Sequence, residues 1–184
     1  DGVGIVDVGT SENVVAGNFI GTDVSGFSAV PNRGWGGVTI VQGASANRIG
    51  GLGALANTIA LNAWAGVVIA DPNSLGNVVQ VNSIHSNGGL GIDLANDGVT
   101  PNDPGDGDTG PNNLQNFPVL ASASASPTGT TIAGTLDSAP NSTFLLLFFS
   151  NAAVDPSGYG EGQHYLGSAS VSTGANGIAD FQVT

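Results

Sequence analysis

Residues 96–113, N-D-G-V-T-P-N-D-P-G-D-G-D-T-G-P-N-N, hold the densest set of side chains able to do chemistry. Asp97, Asp103, Asp106 and Asp108 place hard carboxylate oxygens within one Gly-rich loop, and Asp106-x-Asp108-x-Gly110 echoes the alternating carboxylates of calcium loops. Carboxylates this close repel one another unless a cation or water intervenes. Calcium is therefore the expected guest, in a structural joint between two domains. A solvated acidic linker is the competing reading, because the terminal Glu of an EF-hand loop is missing.

Two further groupings point to carbohydrate chemistry. Asp7 and Asp71 each stand five residues after a Gly-Val-x-Ile phrase begins, with Gln42 between them in the same register. If the phrases stack as adjacent strands, the two carboxylates lie ~9.6 Å apart, at the upper edge of the about 6.5–9.5 Å used by inverting glycosidases. No third carboxylate or histidine joins them, and Asp at a strand end commonly turns the chain, so a non-enzymatic protein is the favoured expectation and Asp7 and Asp71 the only catalytic candidates. Trp35 and Trp64 each precede a phrase glycine by two residues, and Asn87 is the equivalent before the fourth. They suit either a stacking platform for a sugar ring or caps on the corner of a core. His85 and His164 fall in different predicted domains, without an evident partner group.

The elements that must position these residues come from a repeat. Gly2-Val3-Gly4-Ile5, Gly37-Val38-Thr39-Ile40 and Gly66-Val67-Val68-Ile69 are followed by Asn13-Val14-Val15, Asn47-Arg48-Ile49 and Asn77-Val78-Val79, and then by Asn18-Phe19-Ile20, Asn57-Thr58-Ile59 and Asn82-Ser83-Ile84. A partial fourth copy begins at Gly89-Leu90-Gly91-Ile92. Strand phrases keep their order while the loops between them change length, which is the signature of stacked coils with insertions at their corners. The pairs Val3/Ile5, Val38/Ile40, Val67/Ile69 and Leu90/Ile92 have the two-residue period of inward-facing strand residues and should form apolar ladders. The recurrent asparagines should stack at corners and satisfy one another and the turning backbone.

Composition narrows the class. With 30 Gly, 9% charged residues and no helical apolar stripe, the chain reads as all-β. The absence of Cys removes thiol chemistry, disulfides and Cys-based zinc sites. Fourteen acidic residues against Arg33 and Arg48 give a formal charge of −12. Phosphate backbones need clustered cations, so nucleic acid is excluded as a partner, as are anionic membrane surfaces; no stretch has the length and apolarity of a membrane-spanning helix. An acidic surface of this kind suits a setting outside the cell, where divalent cations neutralise it.

These readings divide the chain into a parallel β-helix of about three coils over residues 1–95, an acidic Gly/Pro/Asp linker over 96–116, and a partial β-sandwich over 117–184. Strands are expected at Thr131–Leu136, Thr143–Ser150, His164–Ser172 and Gly177–Val183. About four strands fall short of the roughly seven of a complete immunoglobulin-like sandwich. The apolar run from Phe144 to Phe149 would want cover on both faces, which makes Phe144, Leu146 and Phe148 candidate assembly residues. Missing strands would then come from a longer chain or a second subunit by β-augmentation. The first coil has no capping element in front of it, so end-to-end stacking into filaments is also expected.

Several motifs carry a resemblance: Asn18-Phe19-Ile20-Gly21-Thr22-Asp23, Pro31-Asn32-Arg33-Gly34, Asn47-Arg48-Ile49-Gly50-Gly51, Gly89-Leu90-Gly91-Ile92-Asp93-Leu94, Asp97–Asp103, Gly110-Pro111-Asn112 and Leu114–Leu120. Together they resemble the right-handed parallel β-helix repeats of large secreted bacterial proteins. In that family such a run leads into an immunoglobulin-like domain with the stretches seen here at Phe148–Asn151 and Asp155–Gly162. Val154 stands where those proteins often carry a cysteine, and they usually continue with further sandwich strands. The resemblance implies an extracellular or cell-surface bacterial protein with structural, matrix or adhesion roles; the residues themselves make homotypic subunits, further strands of the same longer chain, or glycans the expected partners.

Overall fold

The structure, a computed structural model, describes residues 1–127 and 129–184. The fold is all-β, and among the described residues there are fifteen strands and two short 3₁₀ turns, at Gly53–Leu55 and Pro111–Leu114. Contacts divide it into two compact units. The first comprises residues 1–100, 110–113 and 147–167; the second comprises 101–109, 114–146 and 168–184.

In the first unit the chain visits three short parallel sheets in turn. Strands β1 (Val3–Val6), β2 (Val14–Val15) and β3 (Phe19–Ile20) begin the sheets. Strands β4 (Gly36–Val41), β5 (Arg48–Gly50) and β6 (Thr58–Ala60) pair with them, and β7 (Ala65–Ile69), β8 (Val78–Gln80) and β9 (Ser83–His85) pair in turn with those. Strand β10 (Ile92–Leu94) extends the first sheet, giving the orders β1-β4-β7-β10, β2-β5-β8 and β3-β6-β9. Loops lengthen between strands without disturbing the pairing, because each strand meets only its equivalents one repeat away.

The core is a set of aliphatic ladders. Ile5, Ile40 and Ile69 stand in register, as do Ile20, Ile59 and Ile84, with Val38, Val67 and Ile49 between them, all buried in one cluster. Alternate strand residues point inward and repeat at the inter-strand spacing of ~4.8 Å, so branched side chains stack continuously. The phrase glycines are required by what packs on them. A Cβ on Gly37 would lie 2.7 Å from Asn62 Nδ2 and 3.0 Å from Ile59 Cγ2, and one on Gly66 would lie 2.7 Å from Ile84 Cγ2.

The fourth copy departs from the sequence alignment. Ile92 pairs with Val67 and Leu94 with Ile69, so Gly91, not Gly89, is the equivalent of Gly66. A slip of two residues keeps the same faces in and out, and the doubled glycine in Gly89-Leu90-Gly91 let the pattern fit either register. Gly89, not Asn87, therefore follows Trp35 and Trp64 in their ladder.

Asparagines form three polar ladders at the corners. Asn47 Oδ1 accepts from the Asn13 N–H (3.0 Å) and Nδ2 (2.9 Å), while its own N–H and Nδ2 donate to Asn77 Oδ1, each at 3.0 Å. Asn18, Asn57 and Asn82 repeat this arrangement. A third ladder, Asn32–Asn62–Asn87, went unnoticed in the sequence because the loop before Asn32 obscures its spacing. The asparagine-to-asparagine bonds all donate toward the following repeat, while the Nδ2 groups of Asn47, Asn57 and Asn62 also donate back to carbonyls of the preceding one, so each Asn-to-Asn ladder has a donor end and an acceptor end.

Side chains from outside the repeats close the donor end. Asn112 Oδ1 accepts from the Asn77 N–H at 2.9 Å. Glu161 takes the place of a further asparagine: its Oε1 accepts from Asn87 Nδ2 (3.0 Å) and N–H (3.3 Å), and its Oε2 from the Ser86 N–H. Gly162 pairs antiparallel with Ile84 through bonds of 2.8 and 2.9 Å. Partial burial pushes the Glu161 carboxyl above its ordinary range despite these bonds. The folded state then binds more protons than the unfolded state between the ordinary value of 4.5 and the raised one. Stability should fall as pH rises through that window and level off above it. Urea midpoints across mildly acidic pH should show this slope in the wild type and lose it in Glu161→Gln.

The second unit is antiparallel. Strand β11 (Val119–Ser126) pairs with β12 (Gly129–Asp137), which pairs with β15 (Ile178–Val183). Strands β13 (Thr143–Ser150) and β14 (His164–Ser172) form a two-stranded sheet whose residues are shared between the units. Four strands match the sequence expectation closely. Strand β11 was not foreseen, because its Ala-Ser alternation carries no apolar period; it is exposed along its whole length. Phe181 lies opposite Gly134 and covers it, with ring carbon Cζ 2.8 Å from where a Cβ would stand. Of the apolar run, Leu146 is buried, Phe144 and Phe148 are half-buried, and Leu145 is the exposed member at 59%.

Candidate metal centre

The acidic loop is built onto the end of β12 by hydrogen bonds within the second unit. Gly105 N–H donates to Asp137 Oδ1 (2.9 Å), Ser138 Oγ to Asp106 Oδ2 (2.6 Å), and Asn116 N–H to Asp106 Oδ1 (2.9 Å). Asn116 is buried; its Nδ2 donates to the carbonyls of Asp103 (2.7 Å) and Asp137 (2.8 Å), while its Oδ1 accepts from the Asp103 N–H (3.1 Å). These bonds fix Asp103 and Asp106, and one oxygen from each of Asp103, Asp106 and Asp108 lies within 4.8 Å of the other two.

That spacing suits one shared cation, since two oxygens bound at about 2.3–2.6 Å on opposite sides of Ca²⁺ are about 4.6–5.2 Å apart. Asp103 Oδ1 and Asp108 Oδ1 are buried atoms without a hydrogen-bond partner, whereas both Asp106 oxygens are held by protein donors. Desolvation, and then the charges of Asp103 and Asp106, push the Asp108 carboxyl above the usual range. Buried orphan acceptors and mutual repulsion are the two conditions a hard divalent cation relieves. Asp97 does not belong with the triad. It lies in the first unit, where its charge contributes to raising the Asp93 carboxyl, an effect led by burial. Sequence proximity grouped the four, and the chain's path separated one. Asn116 closes the same linker but carries no charge to mark it, and Asp137 and Ser138 lie further along the sequence, at the end of β12.

Asp7, Gln42 and Asp71 do share a corner register, and all three adopt left-handed φ values, 78°, 58° and 69°. Asp and Asn side chains tolerate this conformation better than most, and Asn96 continues the series at 59°. Asp71 Oδ2 accepts from the Gln42 N–H at 2.7 Å, so this carboxylate is engaged in turning the chain. His85 and His164, expected in different domains, both fall in the first unit. Burial, and then the charge of His164, hold the His85 imidazole below its usual value.

Neither a protein-family model nor a curated protein matches the chain. Its chemistry is therefore read from its own geometry. Among the described residues, no helix is long and apolar enough to cross a membrane.

Trp35 and Trp64 are 53% and 62% exposed, so they do not cap a core. They line one open groove together with Arg33, Asp93 and Asn96. The sequence does not connect those three polar residues with the tryptophans, since nothing in their spacing links them.

Proposed function

We propose that the chain is a non-enzymatic structural protein of a bacterial surface or extracellular matrix. In this reading the first unit is a short right-handed parallel β-helix acting as a stiff spacer, and the second is an incomplete immunoglobulin-like sandwich stiffened by calcium at Asp103, Asp106 and Asp108. Its partners are homotypic subunits or further strands of the same longer chain. The observation that carries the reading is the set of three asparagine ladders beside continuous aliphatic ladders. Buried polar groups that are fully paired resist local opening, and a stack of this kind supports load along its length without offering a catalytic constellation. The acidic surface and the buried orphan oxygens of the triad support a calcium-rich setting.

Calorimetry and negative-stain electron microscopy, each with calcium and with a chelator, test it. At a free Ca²⁺ concentration about 100-fold above Kd, linkage adds about 2.7 kcal/mol, so the melting midpoint should rise by about 5–10 °C. Asp108→Asn should abolish this response and Asp97→Asn should leave it intact. The calcium effect should be full above the raised Asp108 range and fade as pH falls through it, because protons then compete for the carboxylate. An unchanged midpoint would remove calcium from the reading, and discrete monomers under all conditions would remove homotypic assembly.

A further inference from the structure

The two tryptophans are the chain's only ones, and they stand in register at the start of adjacent strands, with Gly36 paired to Ala65 directly after them. Indoles are among the most buried side chains on average, yet both of these are more than half exposed. The next position in their ladder is Gly89, which carries no third indole and itself lines the groove. The groove has a volume of about 570 Å³, within the range of about 300–1,000 Å³ typical of small-ligand sites.

We propose that this groove binds a neutral pyranose oligosaccharide, with sugar rings resting on Trp35 and Trp64 and hydroxyls engaging Arg33, Asp93 and Asn96. The mixture of groups selects that class. Indole faces want an apolar ligand face, while a guanidinium donor, a carboxylate and a side-chain amide want a partner that both donates and accepts hydrogen bonds. A purely aromatic ligand would desolvate Arg33 and Asp93 without pairing them. An anionic ligand would meet Asp93 and the field of a chain with formal charge −12. A cationic ligand would meet Arg33. A pyranose ring has C–H-rich faces and a rim of hydroxyls, and it carries no charge.

Selectively excited tryptophan emission reports on this site alone, because both indoles are in it and Tyr159 and Tyr165 are not. The full chain is titrated with gluco-, xylo-, manno- and chito-oligosaccharides, and with an oligogalacturonide as the anionic comparison. At least one neutral saccharide should shift the emission saturably at concentrations below about 10 mM. Trp64→Ala, followed by the emission of Trp35 and by calorimetric titration, should weaken binding by about tenfold or more. Arg33→Gln should weaken it to a similar degree, and neither change should move the melting midpoint, since both side chains are exposed. Silence across the neutral panel would overturn the proposal, as would affinity unchanged in both variants or tighter binding of the oligogalacturonide. The groove lies within the first unit and the acidic loop within the second, so a negative titration leaves the calcium response standing and the two readings fail separately.

Discussion

Asn47→Ala should lower the stability of the first unit by about 3–5 kcal/mol, the consequence of emptying one rung of a buried ladder. The Asn47 side chain is fully buried; its Oδ1 satisfies the Asn13 N–H and Nδ2, and its Nδ2 donates to Thr10 O, Ser45 O and Asn77 Oδ1. Alanine leaves several of these groups without partners, and each buried orphan costs about 1–3 kcal/mol. Asn47→Asp should be worse than Ala. It keeps the acceptor but turns the donor into a second oxygen facing Asn77 Oδ1, and it buries a charge. Urea unfolding followed by far-ultraviolet circular dichroism measures both. Asn13→Ala is the control at the acceptor end of the same ladder, where the side chain is exposed and water replaces the lost bonds; its cost should stay below about 1 kcal/mol. A loss at Asn47 no larger than at Asn13 would show that the ladder is an ornament on a core that stands without it.

Gly50→Ala should be comparably severe, at about 4 kcal/mol or more. Gly50 ends β5 with φ +91°, and a Cβ there would come within 2.2 Å of Asn82 Oδ1 and 2.4 Å of Gln80 O. Asn82 Oδ1 is the acceptor for the Asn57 N–H (3.1 Å) and Nδ2 (2.8 Å), so the added methyl strains the backbone and also displaces the second ladder's rung. Gly53→Ala separates these two effects. Gly53 also has a left-handed φ, +61°, but nothing lies within 4 Å of its would-be Cβ. It should cost only the conformational part, about 1–2 kcal/mol. Equal losses at both positions would mean that backbone strain, not the ladder, dominates.

Much of the architecture was legible because its determinants are local. Val38/Ile40 and Val67/Ile69 alternate with the period of a strand, and Asn13, Asn47 and Asn77 recur ten or eleven residues after each phrase glycine, so the pairing of repeats follows from matching like with like. The third ladder was hidden by the long loop before Asn32, and its terminator, Glu161, lies far along the chain from the Asn87 it caps. Strand β11 was hidden because Ala and Ser give no contrast between faces. The acidic triad was legible as a cluster of Asp, but the grouping of Asp103, Asp106 and Asp108 without Asp97 depended on the folded path of the loop, in which Asn116 and Ser138 hold Asp106.

The sequence alone determined that the chain is all-β, that its repeats pair in parallel, and which aliphatic residues stack within them, since a two-residue period and a recurring glycine leave a strand few other ways to bury its apolar side. Tertiary structure decided the register of β10, the closure of the donor end by Asn112 and Glu161, and the gathering of Arg33, Trp35, Trp64, Asp93 and Asn96 around one groove. These are contacts between segments distant along the chain. Their energies reside in amide geometry and in side chains brought together from separate repeats, and neither leaves a pattern in the order of residues.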